Sequence, residues 1–389
     1  MYLNCKTYFS FLYGTYGTEE LVKAAVDAGI TSLALTNINN TCDMWDFVHF
    51  CNEQNIKPIA GTEVRNGTTL MYILLAKNNK GFAAINKFLS EHLHIKKNFP
   101  ERPSFDENVY TIYPFGTKPL NELANDEFVG VQTTDINKLF GLSVQFYAHK
   151  LVIRQPVTFQ DDVHYNLHRL LQAIDKNIIL SKQDHATLAG KHEKLRAPAE
   201  LMQAFSHYPA IITNTLKVLD SCSITMEFHT DKTKKLYSAT RDDDKILLEK
   251  LAKNGLVKRY GSKNKKAKER VDKELKIIDE LGFNAYFLIA WDIIRYAQNQ
   301  GFFHIGRGSG ANSIVAYCLQ ITDVDPIELD LYFERFLNPH RSAPPDFDID
   351  FSHRDRDEII DYIFKRYGRD HVCLLGSYTT FQSRAIIRE

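Results

Sequence analysis

The sequence lacks a long apolar run and lacks any patterned cysteines. No uninterrupted apolar segment approaches the roughly 18 residues that a membrane helix needs, and the N-terminal MYLNCKTYFS has no basic region ahead of a hydrophobic stretch. The six cysteines are scattered and none forms a CxxC pair, which argues against zinc ribbons and disulfide frameworks. We therefore expect a cytoplasmic protein with reduced thiols and no membrane partner.

An excess of charge of one sign is also missing. The 48 Lys and Arg residues balance the 48 Asp and Glu residues, giving a formal net charge of +0, so overall charge argues neither for nor against nucleic acid as a partner. The hydrophobic share of 44% and the charged share of 25% are typical of globular proteins and exclude extended disorder. A chain of 389 residues exceeds one ordinary domain of about 100 to 200 residues, which predicts two or three domains.

Helical and short apolar segments alternate in the N-terminal part. EELVKAAVDAG leads into SLALT, and DMWDFVHFCNEQN leads into KPIAGTEV, an order that predicts βαβ units with parallel strands. The rhythm continues through LMYILLAKN and GFAAINKFLSEHL to about residue 94, and helical patterns dominate residues 163–223. The polar segment EFHTDKTKKLYSATRDDD then indicates a boundary. We assign residues 1–225 to a first domain and 226–389 to a second.

The C-terminal segment QSRAIIRE stops within a helical pattern, without the Gly, Asn or Pro that usually ends a helix. This ending favours a natural chain that continues beyond residue 389. The length of the open reading frame decides the point.

The sharpest local signal is PDFDIDF at residues 345–351. Strict alternation places the apolar side chains on one face of a strand and, on the other, Asp346, Asp348 and Asp350. Carboxylates about 7 Å apart on one face repel each other, and oxygen-ligated divalent cations relieve that repulsion. Two such aspartates suit two-metal phosphoryl transfer. The alternative is a solvated edge strand whose acids prevent aggregation.

A glycine-rich segment, HIGRGSGANS, runs directly into the apolar helical pattern IVAYCLQI. Glycines let a backbone approach an anion, and a helix N-terminus favours phosphate. Ser309 offers a hydroxyl donor and Arg307 a positive charge. The segment matches neither the P-loop nor the dinucleotide-binding pattern, and an ordinary turn is the alternative.

Arg335 lies in the aromatic and apolar segment LYFERFLNP, shortly before the aspartate strand. A functional interpretation is a clamp for a triphosphate. The alternative is a structural ion pair with Glu334 or with one of the aspartates.

The stretch GRGSGANSIVAYCLQITDVDPIELDLYFERFLNPHRSAPPDFDIDF, read whole, resembles the palm of the α subunit of bacterial DNA polymerase III, the C-family replicase. LGFNAYFLIAWDIIRYAQNQG, YIFKRYGRDHV and GSYTTFQSRAIIRE are similar to the same family. The resemblance implies that Asp346 and Asp348 are catalytic and bind two Mg²⁺ ions, while Asp350 is a weaker candidate ligand. It also implies that nucleotide is bound by Arg307, Gly308, Ser309 and Arg335.

The resemblance extends to the N-terminus, which is similar to the PHP (polymerase and histidinol phosphatase) domain of that family. The fold expected is therefore a PHP-like (β/α) barrel followed by a partial α+β nucleotidyltransferase-type palm. Active PHP domains have His-x-His where this chain has Asn4-Cys5-Lys6, and Asp-His where it has Asn37-Ile38. The counterpart of a later Asp-x-His is residues 156–158, Pro-Val-Thr. Glu63 alone is left as a candidate ligand, so we expect no metal in this domain.

The activity that this resemblance implies is that of a DNA-directed DNA polymerase, which transfers dNMP from dNTP to a primer 3′-OH. Its expected partners are primer-template DNA, dNTP, a proofreading exonuclease subunit and, through parts beyond residue 389, the sliding clamp. The family's third catalytic aspartate is expected beyond residue 389 as well. The alternative function is a non-catalytic PHP scaffold that docks the exonuclease, and a phosphoesterase activity is disfavoured by the lost ligands. Whether the chain is a main replicase or an error-prone paralogue stays open.

The basic run at residues 258–270, KRYGSKNKKAKER, has two interpretations. It predicts a solvated helix face, or a surface that contacts the DNA backbone.

Overall fold

A computed structural model describes residues 1–140, 144–184, 187–230, 232–338 and 346–380. The described residues form two compact units, Met1–Phe228 and the part that begins at His229. Pro345, which precedes the predicted aspartate strand, and the terminal QSRAIIRE lie outside the described residues.

The first unit contains one sheet of eight strands among its described residues. They are β1 (Tyr2–Cys5), β2 (Ser32–Leu35), β3 (Lys57–Asn66), β4 (Thr69–Ala76), β5 (Val109–Pro114), β6 (Glu127–Val131), β7 (Leu151–Ile153) and β8 (Pro156–Val157). The helices are α1 (Thr18–Asp27), α2 (Met44–Glu53), α3 (Asn79–His94), α4 (Val144–Tyr147), α5 (Asp162–Asp175), α6 (Pro198–Ala204) and α7 (Pro209–Ser221).

The strand order β7-β6-β5-β4-β3-β2-β1-β8 forces this sheet to curl. Eight strands about 4.8 Å apart would separate the two edge strands by more than about 30 Å in a flat sheet. The edge strands β7 and β8 are joined by Arg154 and Gln155 alone, and three residue steps span at most about 11 Å. The edges must therefore lie near each other, and the predicted α/β barrel-like architecture is confirmed.

The pairing differs in one respect from a pure βαβ series. Strands β1, β2, β3 and β8 pair in parallel, as do β5, β6 and β7, but β4 runs antiparallel to both β3 and β5. The β3–β4 connection is a hairpin with Gly67 at φ +58°, a left-handed conformation that glycine adopts without strain. The segment LMYILLAKN is therefore a strand, as predicted, but it follows β3 directly without a helix between them.

The second unit is helical at its core and carries a two-stranded ladder. Its helices are α8 (Arg241–Tyr260), α9 (Lys265–Glu280), α10 (Asn284–Gln300), α11 (Ile314–Cys318) and α12 (Arg356–Tyr367), and its strands are β9 (His304–Arg307) and β10 (Asp348–Phe351). Their apolar faces form one buried cluster around Leu248, Val271, Phe287, Ile294 and Phe336. Within the described ranges, no helix has the length and apolar content needed to cross a membrane.

Local sequence explains where α8 and α9 begin and end. The Thr240 hydroxyl accepts a hydrogen bond from the Asp243 amide at the start of α8, and three aspartates follow in the first turn, where the helix dipole favours acids. The helix ends at Gly261, whose φ of 75° only glycine adopts easily. The Asn264 side chain then caps α9 by accepting from the Ala267 amide. The basic run at residues 258–270 thus spans a helix end, a turn and a helix start.

A buried aspartate fixes α12 against α10. Asp292 on α10 is fully buried, and its carboxylate accepts hydrogen bonds at 2.8 to 3.3 Å. The donors are Tyr237, Arg295, Tyr362, Arg366 and Tyr367. Burial alone would raise the pKa of Asp292, but these donors and the charge of Arg366 lower it. The cluster holds in place the helix that directly follows the aspartate strand.

Candidate active site

The ladder between β9 and β10 brings the glycine-rich segment beside the aspartate strand. The two strands are antiparallel, with Asp348 opposite Arg307 and Asp350 opposite Ile305. Segments that are about 40 residues apart in sequence thus become neighbours through backbone pairing. Two of the three signals found in the sequence therefore belong to one site.

The predicted alternation along the aspartate strand is present in the structure. Phe347, Ile349 and Phe351 pack against the apolar core of the second unit. Phe347 anchors the strand, because its amide donates to the Tyr286 hydroxyl at 2.6 Å and its ring stacks on that tyrosine with centroids 5.2 Å apart.

The carboxylates lie on the opposite, solvent-facing side of this strand. Asp346 and Asp350 are exposed, and Asp348 is half-buried with 44% of its side chain accessible. None of the three carboxylates points into the apolar core. The arrangement leaves their oxygens accessible to an incoming ligand.

Two glycines permit the close approach of the two segments. A Cβ on Gly308 would lie 2.7 Å from the Asp348 Oδ2, and one on Gly310 would lie 2.6 Å from the Phe347 ring. Gly308 also has φ +74°, which side-chain-bearing residues rarely adopt. The backbone of the glycine-rich turn therefore lies directly against the carboxylate of Asp348.

Arg307 forms ion pairs with two carboxylates of the aspartate strand. Its Nε donates to the Asp350 Oδ2 at 2.7 Å, and its guanidinium lies 3.6 Å from the Asp348 Oδ2. All three side chains are more than two-fifths exposed, so water screens the attraction. In this structure Arg307 offsets the repulsion among the carboxylates, and its contact with nucleotide stays a prediction.

The helix N-terminus that was expected to receive a phosphate is already occupied. The turn Gly308–Asn312 is a 3-10 turn, and α11 begins only at Ile314, with Ser313 as its N-cap. The carboxylate of Glu274, from α9, accepts hydrogen bonds from the Ser313 hydroxyl at 2.8 Å and the Val315 amide at 3.2 Å. The expectation that this helix end binds a ligand phosphate is therefore wrong. Sequence reasoning missed Glu274 because its partners lie about 40 residues away.

Arg335 lies on the turn Phe333–Arg335, which contacts the turn Gly308–Asn312. Its side chain is exposed, and among the described residues no acidic group pairs with its guanidinium. The neighbouring Glu334 binds Lys273 instead, at 2.7 Å. Of the structural partners considered for Arg335, Glu334 is therefore excluded.

Comparison with known proteins identifies both parts of the chain. Residues 3–185 match the PHP domain, and residues 246–389 match the bacterial DNA polymerase III alpha NTPase domain. The chain is 28% identical to the error-prone DNA polymerase of Symbiobacterium thermophilum, over all of this chain and 40% of that protein. It is 29% identical to DNA polymerase III subunit alpha of Halalkalibacterium halodurans, over 95% of this chain and 36% of that protein. The corresponding subunit of Escherichia coli K12 is 28% identical, over all of this chain and 38% of its own length.

The chain thus combines a PHP domain with a bacterial DNA polymerase III alpha NTPase domain, and it is similar to DNA polymerase III α subunits over nearly its whole length. It spans about two-fifths of the length of these curated relatives. The predicted order of a PHP domain and a polymerase domain is thereby confirmed.

The PHP domain contains a buried ion cluster at Lys6 and Glu63, two of the positions that the sequence comparison with active PHP domains singled out. Lys6 and Glu63 are each 1% exposed, and the Lys6 Nζ lies 2.8 Å from the Glu63 Oε2. Arg65 donates its Nε to the other oxygen at 2.6 Å, and the Asn4 amide donates at 2.7 Å. Burial alone would raise the pKa of Glu63, but attraction to Lys6 and Arg65 lowers it to about 2. Glu63, the last candidate ligand in the sequence, is thus neutralised by protein cations.

A second polar group lies next to this cluster. Asn37, at the position of the lost Asp-His pair, donates to the Asp43 Oδ1 at 2.7 Å. Asp43 also accepts hydrogen bonds from the hydroxyls of Thr7 and Thr18 at 2.6 and 2.8 Å, while burial raises its pKa. The sequence did not reveal Asp43, because an acid before a helix is common at N-caps. Its two oxygens are already occupied by neutral donors.

The buried histidine of the PHP domain is also structural. His168 is fully buried, and its Nε2 accepts a hydrogen bond from the Ala189 amide at 3.0 Å. Its Nδ1 must therefore carry the proton that is donated to the Tyr13 carbonyl at 2.7 Å. Burial lowers the pKa of His168, in agreement with this neutral form. Among the described residues, no group of three or more His, Cys, Asp or Glu side chains is arranged to hold a metal ion.

Proposed function

We propose that this chain is the N-terminal part of a DNA-directed DNA polymerase, which transfers dNMP from dNTP to a primer 3′-OH. The single observation that carries the proposal is the contact of the Gly308 backbone with the Asp348 carboxylate. The adjoining turn carries Arg335, which is exposed and pairs with no acid among the described residues. A carboxylate, a glycine-rich backbone and a cation are the groups that phosphoryl transfer from a nucleoside triphosphate requires.

The carboxylates of Asp346 and Asp348 fit a site for Mg²⁺, because they are accessible oxygen ligands on one strand face. Two Mg²⁺ ions, when bound, would lower the pKa of the primer 3′-OH and compensate charge on the leaving pyrophosphate. Affinity for the metal alone should be low, because Mg²⁺ keeps most of its water and uses substrate phosphate as a further ligand.

The remaining groups have distinct roles in the proposal. Gly308 provides a backbone without a side chain, so that the triphosphate and Asp348 can lie close together. Ser309 offers a hydroxyl donor to the phosphates, and Arg335 offers a guanidinium that no acid of the described residues occupies. Arg307 offsets part of the negative charge of the aspartates through its ion pair with Asp350, and it supplies further positive charge near the phosphates.

The test is primer extension by the full-length protein. We expect Asp348→Asn to reduce extension at least about 1,000-fold while leaving the melting temperature within about 2 °C of the wild type, because it removes one charge from an acidic strand face and opens no cavity. Arg335→Ala should raise the KM for dNTP about 10-fold, the effect of losing one charge-assisted hydrogen bond. Asp357→Asn, a change at an exposed carboxylate on α12, serves as the control and should leave extension unchanged. Primer extension by the Asp348→Asn variant at the wild-type rate would contradict the proposal.

A second function is proposed for the PHP domain, as a non-catalytic scaffold that docks a proofreading exonuclease. The buried Lys6–Glu63 pair supports the non-catalytic part of this proposal, because a lysine ammonium beside the last candidate ligand opposes cation binding. Elemental analysis of the desalted protein should find no zinc, manganese or iron above about 0.1 per chain, and a retained stoichiometry of about one metal per chain would contradict this view. Co-purification with the exonuclease subunit tests the docking itself. DNA, dNTP and the sliding clamp remain proposed partners of the whole protein.

A further inference from the structure

Glu274 is a buried carboxylate of the second domain, and the proposed polymerase reaction assigns it no role. It lies on α9 and is fully buried. Its Oε2 accepts hydrogen bonds from the Ser313 hydroxyl and the Val315 amide at 2.8 and 3.2 Å, and its Oε1 accepts from the Arg270 Nε at 3.1 Å. This carboxylate therefore fixes the start of α11 to the helical core.

Arg270 extends this network into the glycine-rich turn. Its second terminal nitrogen donates to the Asn312 carbonyl at 2.9 Å. The Asn312 side chain in turn donates to the Ser309 carbonyl at 2.8 Å. The backbone of Ser309 is thus linked to Glu274 through two residues.

The same helix also holds the segment that carries Arg335. Lys273, the residue before Glu274, pairs with Glu334 at 2.7 Å. The turns Gly308–Asn312 and Phe333–Arg335, which are proposed to bind nucleotide, contact each other. Each is also bonded to α9, the first through Arg270 and the second through Lys273. The buried pair Arg270–Glu274 is well shielded, whereas Lys273–Glu334 is exposed to water.

We infer that Glu274, acting through Arg270 and Asn312, is a positioning residue that sets the glycine-rich turn at the distance from Asp348 required for binding the triphosphate of dNTP. The inference rests on the proposed polymerase function. It assigns to Glu274 an effect on nucleotide affinity and not on the chemical step, since its side chain touches neither the carboxylates nor the accessible face of the site.

The hydrogen bonds of Glu274 suggest a substitution that removes one of them without changing the size of the side chain. In its charged form the carboxylate of Glu274 can only accept hydrogen bonds, so all three of its partners, Arg270, Ser313 and Val315, are donors. A glutamine has one acceptor oxygen and must turn its NH₂ group toward another donor. Glu274→Gln therefore keeps the size of the side chain while it breaks the link to Arg270 or to α11.

The experiment measures steady-state kinetics of the full-length protein with dNTP as the varied substrate. Glu274→Gln should raise the KM for dNTP about 10-fold and change kcat by less than about threefold. The matched control is Glu280→Gln, on the same helix, which removes an exposed carboxylate that also pairs with a lysine four residues earlier. The control should leave both constants unchanged.

A second variant keeps the inference testable if Glu274→Gln does not fold. Arg270→Lys retains the charge, but an ammonium cannot donate to both Glu274 and the Asn312 carbonyl in the geometry of a guanidinium. It should raise the KM for dNTP in the same way. If Glu274→Gln, or Arg270→Lys in its place, has the KM of the Glu280→Gln control, the inference is overturned. The same holds if kcat and melting temperature fall while KM does not move. A wild-type protein that extends no primer overturns the proposed function instead.

Discussion

Each of the two domains contains a glutamate that is fully buried, and the surroundings of Glu63 and Glu274 shift their pKa values in opposite directions. Glu63 in the PHP domain faces Lys6 and Arg65, which lower its pKa to about 2. Glu274 in the polymerase domain faces one arginine and several neutral donors, and burial raises its pKa to about 7. Two cations hold a carboxylate fully charged, whereas neutral donors compensate burial only in part. Glu63 therefore has no uncompensated charge to attract a further cation. The carboxyl group of Glu274, in contrast, changes its charge near neutral pH.

Removing the cation from the PHP cluster should have the largest effect on stability. Lys6→Met leaves Glu63 buried with Arg65 as its remaining ion-pair partner among the described residues, and we expect a loss of about 3 to 5 kcal/mol in the free energy of unfolding. Urea denaturation of residues 1–389 measures it. Lys87→Met, at an exposed pair with Glu91 in the same domain, is the control and should cost less than about 0.5 kcal/mol.

The double variant Lys6→Met/Glu63→Leu sharpens this prediction. Replacing both Lys6 and Glu63 by apolar groups removes the uncompensated carboxylate but leaves Arg65 without its acid, so only part of the loss should be recovered. Equal effects of Lys6→Met and Lys87→Met would mean that the PHP cluster contributes no more than a surface pair does.

The two glutamates should also give stability opposite dependences on pH. The pKa of Glu63 is lowered, so its contribution is present above its usual pKa of 4.5 and is lost as the pH falls toward about 2. The pKa of Glu274 is raised, so its contribution is present below 4.5 and is lost as the pH rises through about 7. Relative to wild type, Glu274→Gln should therefore become less destabilising between pH 5 and pH 8. Urea unfolding at these two pH values checks this, and a difference that grows with pH would contradict it.

The tyrosines around Asp292 should show the smallest effect. Tyr362→Phe removes one of five donors to that buried carboxylate, and we expect a loss of about 1 kcal/mol. Tyr296→Phe, whose hydroxyl binds the exposed Glu358, should be close to neutral in thermal unfolding. A Tyr362→Phe variant as stable as the control would show that the remaining donors satisfy Asp292, and that it depends less on each partner than Glu63 does.

The contrast between the domains also explains what the sequence could predict. The alternation of Phe347, Ile349 and Phe351 has period two, so the strand and its acidic face were predictable from local pattern alone. The glycines at 308 and 310 correctly indicated a close approach of backbone, although not to which group. Such features depend on neighbours in sequence.

Features that depend on tertiary contacts were not predictable. The apolar pattern IVAYCLQI suggested a longer helix, yet α11 stops at Cys318 and Gln320 adopts a φ of +63°. Nothing near Ser313 indicates that a carboxylate from α9 fills its helix N-terminus. In the PHP domain the loss of ligands was visible from Asn4, Lys6 and Asn37, but the pairing of Lys6 with Glu63 required strands β1 and β3 to be placed in one sheet.

The contact between Gly308 and Asp348 has a consequence at the level of the genetic code. A single-nucleotide missense change of a glycine codon gives at the least an alanine, and even that methyl group would meet the Asp348 Oδ2 at 2.7 Å in a backbone with positive φ. Gly301, the C-cap of α10, also has positive φ, but its φ of 77° and ψ of 18° are left-handed helical, and no atom lies within 4 Å of the place where its Cβ would stand. A residue with a side chain can adopt that conformation at a cost of about 1 to 2 kcal/mol. In a library of random point mutants selected for growth, glycine should therefore be kept at position 308 while other residues are recovered at position 301.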